Sequence, residues 1–337
     1  MRKASFEKYK LKFKQPVLTS RGGMSVKNGY YLSISENEKT GRGECSFIEG
    51  LSIDNLEKYE ETLSKLCNAI QNNDSAILPD LTLFPSIKFG WECAELDLKN
   101  GGTKIFFESN FTKGKKQIPI NGLVWMGTPD FMLQQIDEKL ANGFKCIKIK
   151  VGALDFEKEL KFLDHIRKQF SPQTIEIRLD ANGAFKKENV FKKLELLANY
   201  SIHSIEQPVK AGQHDLMKQL CKSSPIAIAL DEELIGVSKN EKENLLSFLN
   251  PQYIILKPSL LGGIELCNEW VHLAEYKKIG WWATSALESN IGLNAIAQWA
   301  FIKGSSITHG LGTGNLYINN TPSPLFVSEG KLGYHTN

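Results

Sequence analysis

The chain has no stretch approaching the roughly 18 consecutive apolar residues of a membrane-spanning helix. It has little excess of one charge: 41 Lys and Arg stand against 38 Asp and Glu, a formal net charge of +3. The strong basic bias of a dedicated nucleic-acid binder is therefore missing. Cysteine is sparse, six in all, and Cys45, Cys67, Cys93, Cys146, Cys221 and Cys267 are scattered with no CxxC spacing. A zinc ribbon and a disulfide framework are both disfavoured, and reduced thiols in a cytoplasm are the expectation. The opening MRKASFEKYKLKFKQ is charged throughout and lacks the apolar core of a secretory signal, which points the same way. No low-complexity tract or short tandem repeat interrupts the chain. The composition is ordinary for a globular protein, with 42% hydrophobic and 23% charged residues. At about 100–200 residues per domain, 337 residues make two domains, or one large α/β barrel with an addition.

The local pattern changes near residue 117. Before it, alternating segments at 29–35 and 41–45 read as a small sheet, followed by helical stretches at 55–71 and 86–99. After it, apolar runs alternate with helical patterns. Segment 118–125 is strand-like; Thr128, Pro129 and Asp130 make a capped helix start, and Gly143 a stop. Strands are expected at 144–151 and 174–180 and helices at 154–170 and 186–200. Short apolar runs at 202–206, 226–231 and 252–257 are each followed by a helical pattern, and 281–284 and 306–311 complete the series. Such alternation argues for parallel strands buried on both faces, and about eight units close a β/α barrel. An open doubly wound sheet competes, but the first unit carries no GxGxxG.

Charge falls regularly at the strand ends. Lys148 and Lys150 end the second strand (IKIKVG), Asp180 the third (IEIRLDANG), Glu206 the fourth (SIEQP), Asp231 the fifth (AIALDEE) and Lys257 the sixth (YIILKPS). From Lys150 onward the spacings are 30, 26, 25 and 26 residues, one βα unit per step. In a barrel, successive strand ends lie side by side around the C-terminal mouth, where barrel enzymes work. Three converging carboxylates repel one another unless something neutralises them. A hard divalent cation such as Mg²⁺ suits an all-oxygen set, and no Cys or His stands at these ends to favour zinc. Alternation puts Lys148 and Lys150 on one face, and Lys257 comes from four strands further round. A lysine serves as a base only when neutral, a form that nearby positive charge favours. A metal gripping a carboxylate, with a lysine beside the α-carbon, is equipped to remove an α-proton and stabilise the enediolate.

KxK, LDANG, IEQP, LDE and LKPSLLGG together resemble the signature of the enolase superfamily, muconate-lactonizing subgroup, whose sites are known to pair a Lys or His base with Mg²⁺. The resemblance covers nearly the whole chain. It implies an α/β fold, a modified TIM-type (β/α)7β barrel with an α+β capping domain, dividing as cap 1–117, barrel 118–310 and a C-terminal segment 311–337 returning to the cap. It implies Asp180, Glu206 and Asp231 as ligands of Mg²⁺ (with Mn²⁺ able to substitute), Lys150 and Lys257 as catalytic lysines, and Lys148 in support. Within the subgroup, SALESNIGL at 285–293, HGLGTGNLY at 309–317, PSIKFGWE and FIEGLS are most similar to the o-succinylbenzoate synthases of menaquinone biosynthesis. Many relatives carry an acidic DxD-type motif near the barrel's end that grips a substrate ammonium; here GLGTG has no acid, which fits a substrate without an amino group. The implied reaction is syn dehydration of 2-succinyl-6-hydroxy-2,4-cyclohexadiene-1-carboxylate. The alternative is an N-succinylamino acid racemase or dipeptide epimerase of the same superfamily.

Secondary expectations follow. Thr19 to Met24, with two glycines, reads as a lid carrying Arg21 toward substrate, or else a hairpin turn; 47–51 is a second cap loop. Ser285 and Ser289, near Glu288, and Gly312 and Thr313 in GLGTG are candidates for holding the succinyl end, against a plain helix-capping role for the serines. Trp125, Trp281 and Trp282 read as core, and His203 and His309 as structural. With a divalent ion, charged Lys148 and Lys257 and a neutral Lys150, the mouth is left one positive charge in excess. The expected partner is a small anionic carboxylate, with no nucleic acid or membrane; nothing in the spacing sets an oligomeric state.

Overall fold

The lysine-rich opening segment is a strand. In the computed structural model, which describes residues 1–19 and 22–336, β1 (Lys3–Thr19) pairs antiparallel with β2 (Gly22–Glu36), which pairs with β3 (Lys39–Cys45). Tyr9, Leu11 and Phe13 point inward while Lys8, Lys10, Lys12 and Lys14 face water. The charge that argues against a secretory signal is thus the outer face of a period-2 strand. Helices α1 (Tyr59–Asn72) and α2 (Pro85–Lys99) cover this sheet, and a core of Leu32, Ile34, Leu63, Leu66 and Ile87 fills the space between. α2 lies close against β3 because both carry glycine at the crossing: a Cβ on Gly43 would stand 1.8 Å from the Gly90 carbonyl oxygen.

The chain then enters the barrel. Residues 118–125 do not form one strand: β4 (Ile118–Pro119) and β5 (Gly122–Val124) belong to different sheets. Thereafter strands and helices alternate as α3 (Pro129–Ala141), β6 (Cys146–Lys150), α4 (Phe156–Gln169), β7 (Glu176–Asp180), α5 (Val190–Ala198), β8 (Ser204–Glu206), α6 (His214–Ser223) and β9 (Ala227–Leu230). They continue through α7 (Lys242–Leu249), β10 (Tyr253–Leu256), α8 (Pro258–Leu261), α9 (Gly263–Tyr276), β11 (Gly280–Ala283) and α10 (Asn290–Lys303). The Thr128 hydroxyl caps α3 by accepting from the Phe131 amide. Strands β5 to β11 form a seven-stranded parallel sheet in chain order. Parallel bridges from His309 to Ile120 and from Gly310 to Thr284 join its two edges. The fold is thus the expected α/β barrel with a separate antiparallel sheet. The eighth position is a short bridged segment, because Gly310 and its flanking residues pair only briefly. One apolar core runs through the barrel and its helices.

The remaining chain serves both parts. Phe13 bridges to Tyr317, and the Ile318 amide donates to the Lys12 carbonyl at 2.9 Å. β12 (Leu325–Ser328) and β13 (Lys331–Tyr334) form a hairpin that pairs with β4. Two carboxylates from the N-terminal sheet and helices grip barrel helices. Glu44, fully buried at the end of β3, accepts from the Tyr9 hydroxyl (2.5 Å), the Ser289 amide (2.8 Å) and hydroxyl (2.5 Å) and the Gly292 amide (2.8 Å). Glu92 of α2 accepts from the Ile264 (2.5 Å) and Glu265 (3.2 Å) amides. Each carboxylate meets free N–H groups at the positive end of a helix, α10 and α9 respectively. Among the described residues, no helix is long and apolar enough to cross a membrane.

Candidate active site

The register of β6, β7 and β8 puts Lys150 opposite Asp180 and Asp180 opposite Glu206. These residues end their strands, so their side chains leave the pleat at one rim. The Lys148 ammonium donates to Asp180 Oδ2 at 3.0 Å and also bonds Glu206. Lys150 Nζ donates to Asp180 Oδ2 at 2.8 Å and to Asn182 Oδ1 at 2.6 Å. Lys257, just after β10, pairs with Asp231, just after β9. Behind this rim, buried Gln207 ties two strand ends together: its Oε1 accepts from the Asp231 amide (3.2 Å) and its Nε2 donates to Glu233 (2.9 Å).

The strand-end series therefore forms two neighbouring sets of ion pairs, Lys148 and Lys150 with Asp180 and Glu206, and Lys257 with Asp231; Lys148 and the three carboxylates are buried, and Lys150 and Lys257 half-buried. Burial raises the energy of each charge, so the balance decides the protonation. For Asp180, burial opposes ionisation, but Lys148, Lys150 and Lys257 outweigh it and hold the carboxyl far below the usual range. For Glu206, burial wins: its carboxyl is pushed up to about 7, Lys148 opposing and Asp180 and Asp231 adding to the rise. Burial would lower Lys148, but Asp180, Glu206 and Asp231 hold it above its ordinary value. Lys257 is likewise raised, because Asp231 and Glu232 overcome burial.

Among the described residues, no three acidic, His or Cys side chains are gathered round a common point by themselves; lysine ammoniums take the oxygens. The donor set nonetheless fits a hard cation. Asp180, Glu206 and Asp231 offer only oxygen, and Glu206 Oε1 is buried without a hydrogen-bond partner. A buried carboxylate held near neutrality for want of positive charge is what an added divalent ion corrects.

The rim opens into a cavity of about 630 Å³. Lys148, Lys150, Asp180 and Lys257 line it from below, and Ser285, Gly312 and Thr313 from the side. Ile48, Glu49 and Leu51 of the 47–51 loop line it from the N-terminal part, together with Met24 of β2. Arg21 lies outside the described residues. Ser289 is not brought to the cavity: its hydroxyl caps α10 through the Ile291 amide (3.2 Å) and donates to Glu44, leaving the capping role. Glu288 is also turned away, accepting from the Ser259 hydroxyl at 2.5 Å and the Ala286 amide at 2.7 Å. Trp281 and Trp282 are core, but Trp125 lines the cavity. His309 is buried, its Nδ1 accepting from the Ala283 amide.

Four cavity residues escape the reading of strand ends. Asn182, in LDANG, turns back through a left-handed backbone (φ 43°) so that its Oδ1 meets Lys150 while its Nδ2 donates to Glu232 Oε1 at 2.9 Å. The signal lies two residues past Asp180, where Asn tolerates that conformation. Glu232 follows Asp231 directly and is raised by burial and by Asp231. Asn121 and Thr284 are uncharged and give no sequence signal.

Comparison with known proteins agrees with this geometry. The enolase C-terminal domain-like family matches residues 132–331, and the MenC N-terminal domain family matches residues 1–98. The chain is 43% identical to an o-succinylbenzoate synthase from Desulfotalea psychrophila over 98% of each chain. It is 26% identical to one from Aliivibrio salmonicida over 96% of this chain and 94% of the relative. The crystal structure of MenC from Desulfotalea psychrophila superposes with a TM-score of 0.88 at 41% identity, covering 98% of this chain and 99% of that one. A dipeptide epimerase from Enterococcus faecalis, solved with Mg and the dipeptide L-Leu-L-Tyr, shares the fold at a TM-score of 0.84 and 22% identity, over 99% and 96% of the two chains. The chain belongs to the enolase superfamily, within the o-succinylbenzoate synthase family.

Proposed function

We propose that the chain carries out the o-succinylbenzoate synthase reaction in the cytoplasm, as a step of menaquinone biosynthesis. Water is removed from 2-succinyl-6-hydroxy-2,4-cyclohexadiene-1-carboxylate to give 2-succinylbenzoate. The observation that carries the reading is the neighbouring lysine–carboxylate pairs at successive strand ends, of which Lys148, Lys150, Asp180 and Lys257 line the cavity, taken with the full-length likeness to a synthase. Asp180, Glu206 and Asp231 would hold Mg²⁺, or Mn²⁺ in its place, and a bound ion there would supply positive charge to the substrate carboxylate. Lys150, in its neutral form, takes the proton α to that carboxylate. The C–H electron pair becomes the new ring bond as the C–O bond breaks, and Lys150 returns the proton to the departing hydroxyl on the same face, releasing water. Asn182 Oδ1, at 2.6 Å, fixes the Lys150 side chain for both transfers. Lys257 stays protonated beside Asp231, holding charge against the developing anion and lying over the forming ring. Lys148 neutralises Asp180 and Glu206 from beneath. Because aromatisation drives the reaction, positioning and charge stabilisation suffice.

In the same reading, 1–117 is the capping unit and 118–310 the barrel, with 311–337 returning to the cap through residues 316–318, which hydrogen-bond to β1. Ser285, Gly312 and Thr313 serve the substrate's succinyl end, and Arg21 faces the substrate. Turnover of the cyclohexadiene with Mg²⁺, followed by ultraviolet absorbance, tests the proposal. No turnover by the wild type, or undiminished turnover by Lys150→Ala, overturns it. One observation favours a second activity: Lys150 and Lys257 reach the cavity from strands four apart, the placement that two-base racemisation of N-succinylamino acids or dipeptides requires. Deuterium wash-in at the α-carbon of N-succinylamino acids detects it.

A further inference from the structure

We propose that Glu232 is a positioning residue for Lys150 and acts through Asn182. The inference rests on the reading above of Lys150 as the group that takes and returns the proton. Three strand ends meet in one hydrogen-bonded chain. Lys150 ends β6, Asn182 lies just past β7, and Glu232 lies just past β9, with β8 between the last two. Lys150 Nζ donates to Asn182 Oδ1 at 2.6 Å, and Asn182 Nδ2 donates to Glu232 Oε1 at 2.9 Å. All three residues line the cavity. Among the described residues, the bond from Asn182 is the one hydrogen bond of the Glu232 carboxylate, whose Oε2 is buried without a partner. An ammonium only donates and a carboxylate only accepts, whereas the two ends of an amide differ. The Asn182 side chain is therefore held in one orientation, its oxygen toward Lys150 and its NH₂ toward Glu232.

Backbone bonds hold both ends of this bridge. The Asn182 amide donates to Asp180 Oδ1 at 3.1 Å, and the flanking Ala181 and Gly183 amides donate to the Glu206 (3.1 Å) and Gln207 (2.7 Å) carbonyls. Such over-determination is what keeps a non-glycine residue at φ 43°. On the other side, the amides of Asp231 and Glu233, which flank Glu232, both donate to Gln207 Oε1, at 3.2 and 3.3 Å. The consequence falls on Lys150, whose Nζ donates also to Asp180 Oδ2 at 2.8 Å. Two acceptors stop rotation about the Cε–Nζ bond, so the remaining tetrahedral position on the nitrogen has one direction. That position carries a proton in the ammonium and the lone pair in the amine. The proton taken and the proton returned therefore travel along the same line, as removal and return on one face require. Without Glu232 the Asn182 amide is free to turn over, and Lys150 loses its second acceptor for part of the time. Misplacing a reacting group by about 1 Å costs up to about 10²-fold in rate.

The test is a double-mutant cycle on turnover of the cyclohexadiene by the Mg²⁺-loaded protein, with kcat expressed per Mg²⁺-binding site counted by calorimetry, so that unfolded molecules do not enter. Glu232→Ala is expected to lower kcat about tenfold or more, and by more than it raises KM. Asn182→Ala is expected to cost as much, and the double variant no more than either single one, because the two residues act as a unit. Glu232→Gln, which keeps an acceptor for Asn182 Nδ2 and loses the charge, is expected to recover most of the loss. A Glu232→Ala variant with wild-type kcat, or losses that multiply in the double variant, overturns the positioning role while leaving the synthase reading in place. So does a Glu232→Gln variant as slow as Glu232→Ala, which would assign the role of Glu232 to its charge on Lys257. A wild type that does not turn over the cyclohexadiene overturns the synthase reading and the positioning role together.

Discussion

Two groups of buried carboxylates occupy this molecule, and their partners differ in kind. At the seam between the N-terminal sheet and the barrel, Glu44 receives four donors, three of them from the start of α10. At the barrel mouth, Asp180, Glu206 and Asp231 are met by lysines, and Glu206 keeps one oxygen with no partner. Fixed backbone donors complete a carboxylate and leave it nothing to do but hold. Mobile ammonium groups neutralise a carboxylate and can be displaced by an ion or drawn toward a substrate. Burial and charge are alike in the two groups. The saturation and nature of the donors tell a clamp from a site.

The largest effect expected is at the mouth. Lys150→Ala is predicted to lower turnover by about 10²–10⁴-fold while changing the unfolding free energy by less than about 1 kcal/mol. If stability fell as steeply as activity, the mouth would be a clamp too. Next comes Glu44→Ala, which strands several buried donors at once and should cost about 2–4 kcal/mol in urea unfolding. Mg²⁺ affinity by calorimetry should be unchanged. Glu206→Gln is expected to do the reverse: Mg²⁺ affinity falls about tenfold or more, roughly 1.4 kcal/mol, while stability without the ion holds or rises, because a buried group short of positive charge has been made neutral.

The mouth was legible in the sequence because charge at a strand end breaks an apolar run, and because one βα unit separates each break from the next. Asp180, Glu206, Asp231 and Lys257 stand out in that way, and barrel geometry brings them together without further information. The seam was not legible. Glu44 lies in a strand whose neighbours Arg42 and Lys39 are also charged, and its partners Ser289 and Gly292 are about 245 residues away; no periodicity connects them. The same distance misled the reading of Ser289, which carries a hydroxyl of the right kind beside a substrate-facing segment but spends it on a cap. β1 was missed for a related reason: its lysines dominate the composition and hide the alternation of Tyr9, Leu11 and Phe13. Asn121 and Thr284 were invisible because an uncharged side chain beside a strand end differs from its neighbours only once the cavity it lines can be seen.

Glu92 lies between the two kinds and gives the finest test. It grips α9 through two amides, yet its Oε1 is buried without a hydrogen-bond partner, Lys88 Nζ standing 3.8 Å away, and burial lifts its carboxyl from 4.5 to about 7 against the pull of the Glu265 and Ile264 amides and Lys88. In the unfolded chain the group ionises near its ordinary value. As pH rises from about 4 to 7, the unfolded state therefore loses its proton first while the folded state still holds it, and stability falls over that window. The contribution is complete below about pH 4 and gone above about pH 7. Glu92→Gln keeps an acceptor for the α9 amides but cannot ionise, so its urea-unfolding profile between pH 4.5 and 8 should be flatter than that of the wild type. Relative to the variant, the wild type should lose on the order of 1–3 kcal/mol across the window. A wild type that gains on the variant as pH rises would mean that the helix end pays for the charge in full, and would move Glu92 to the side of Glu44.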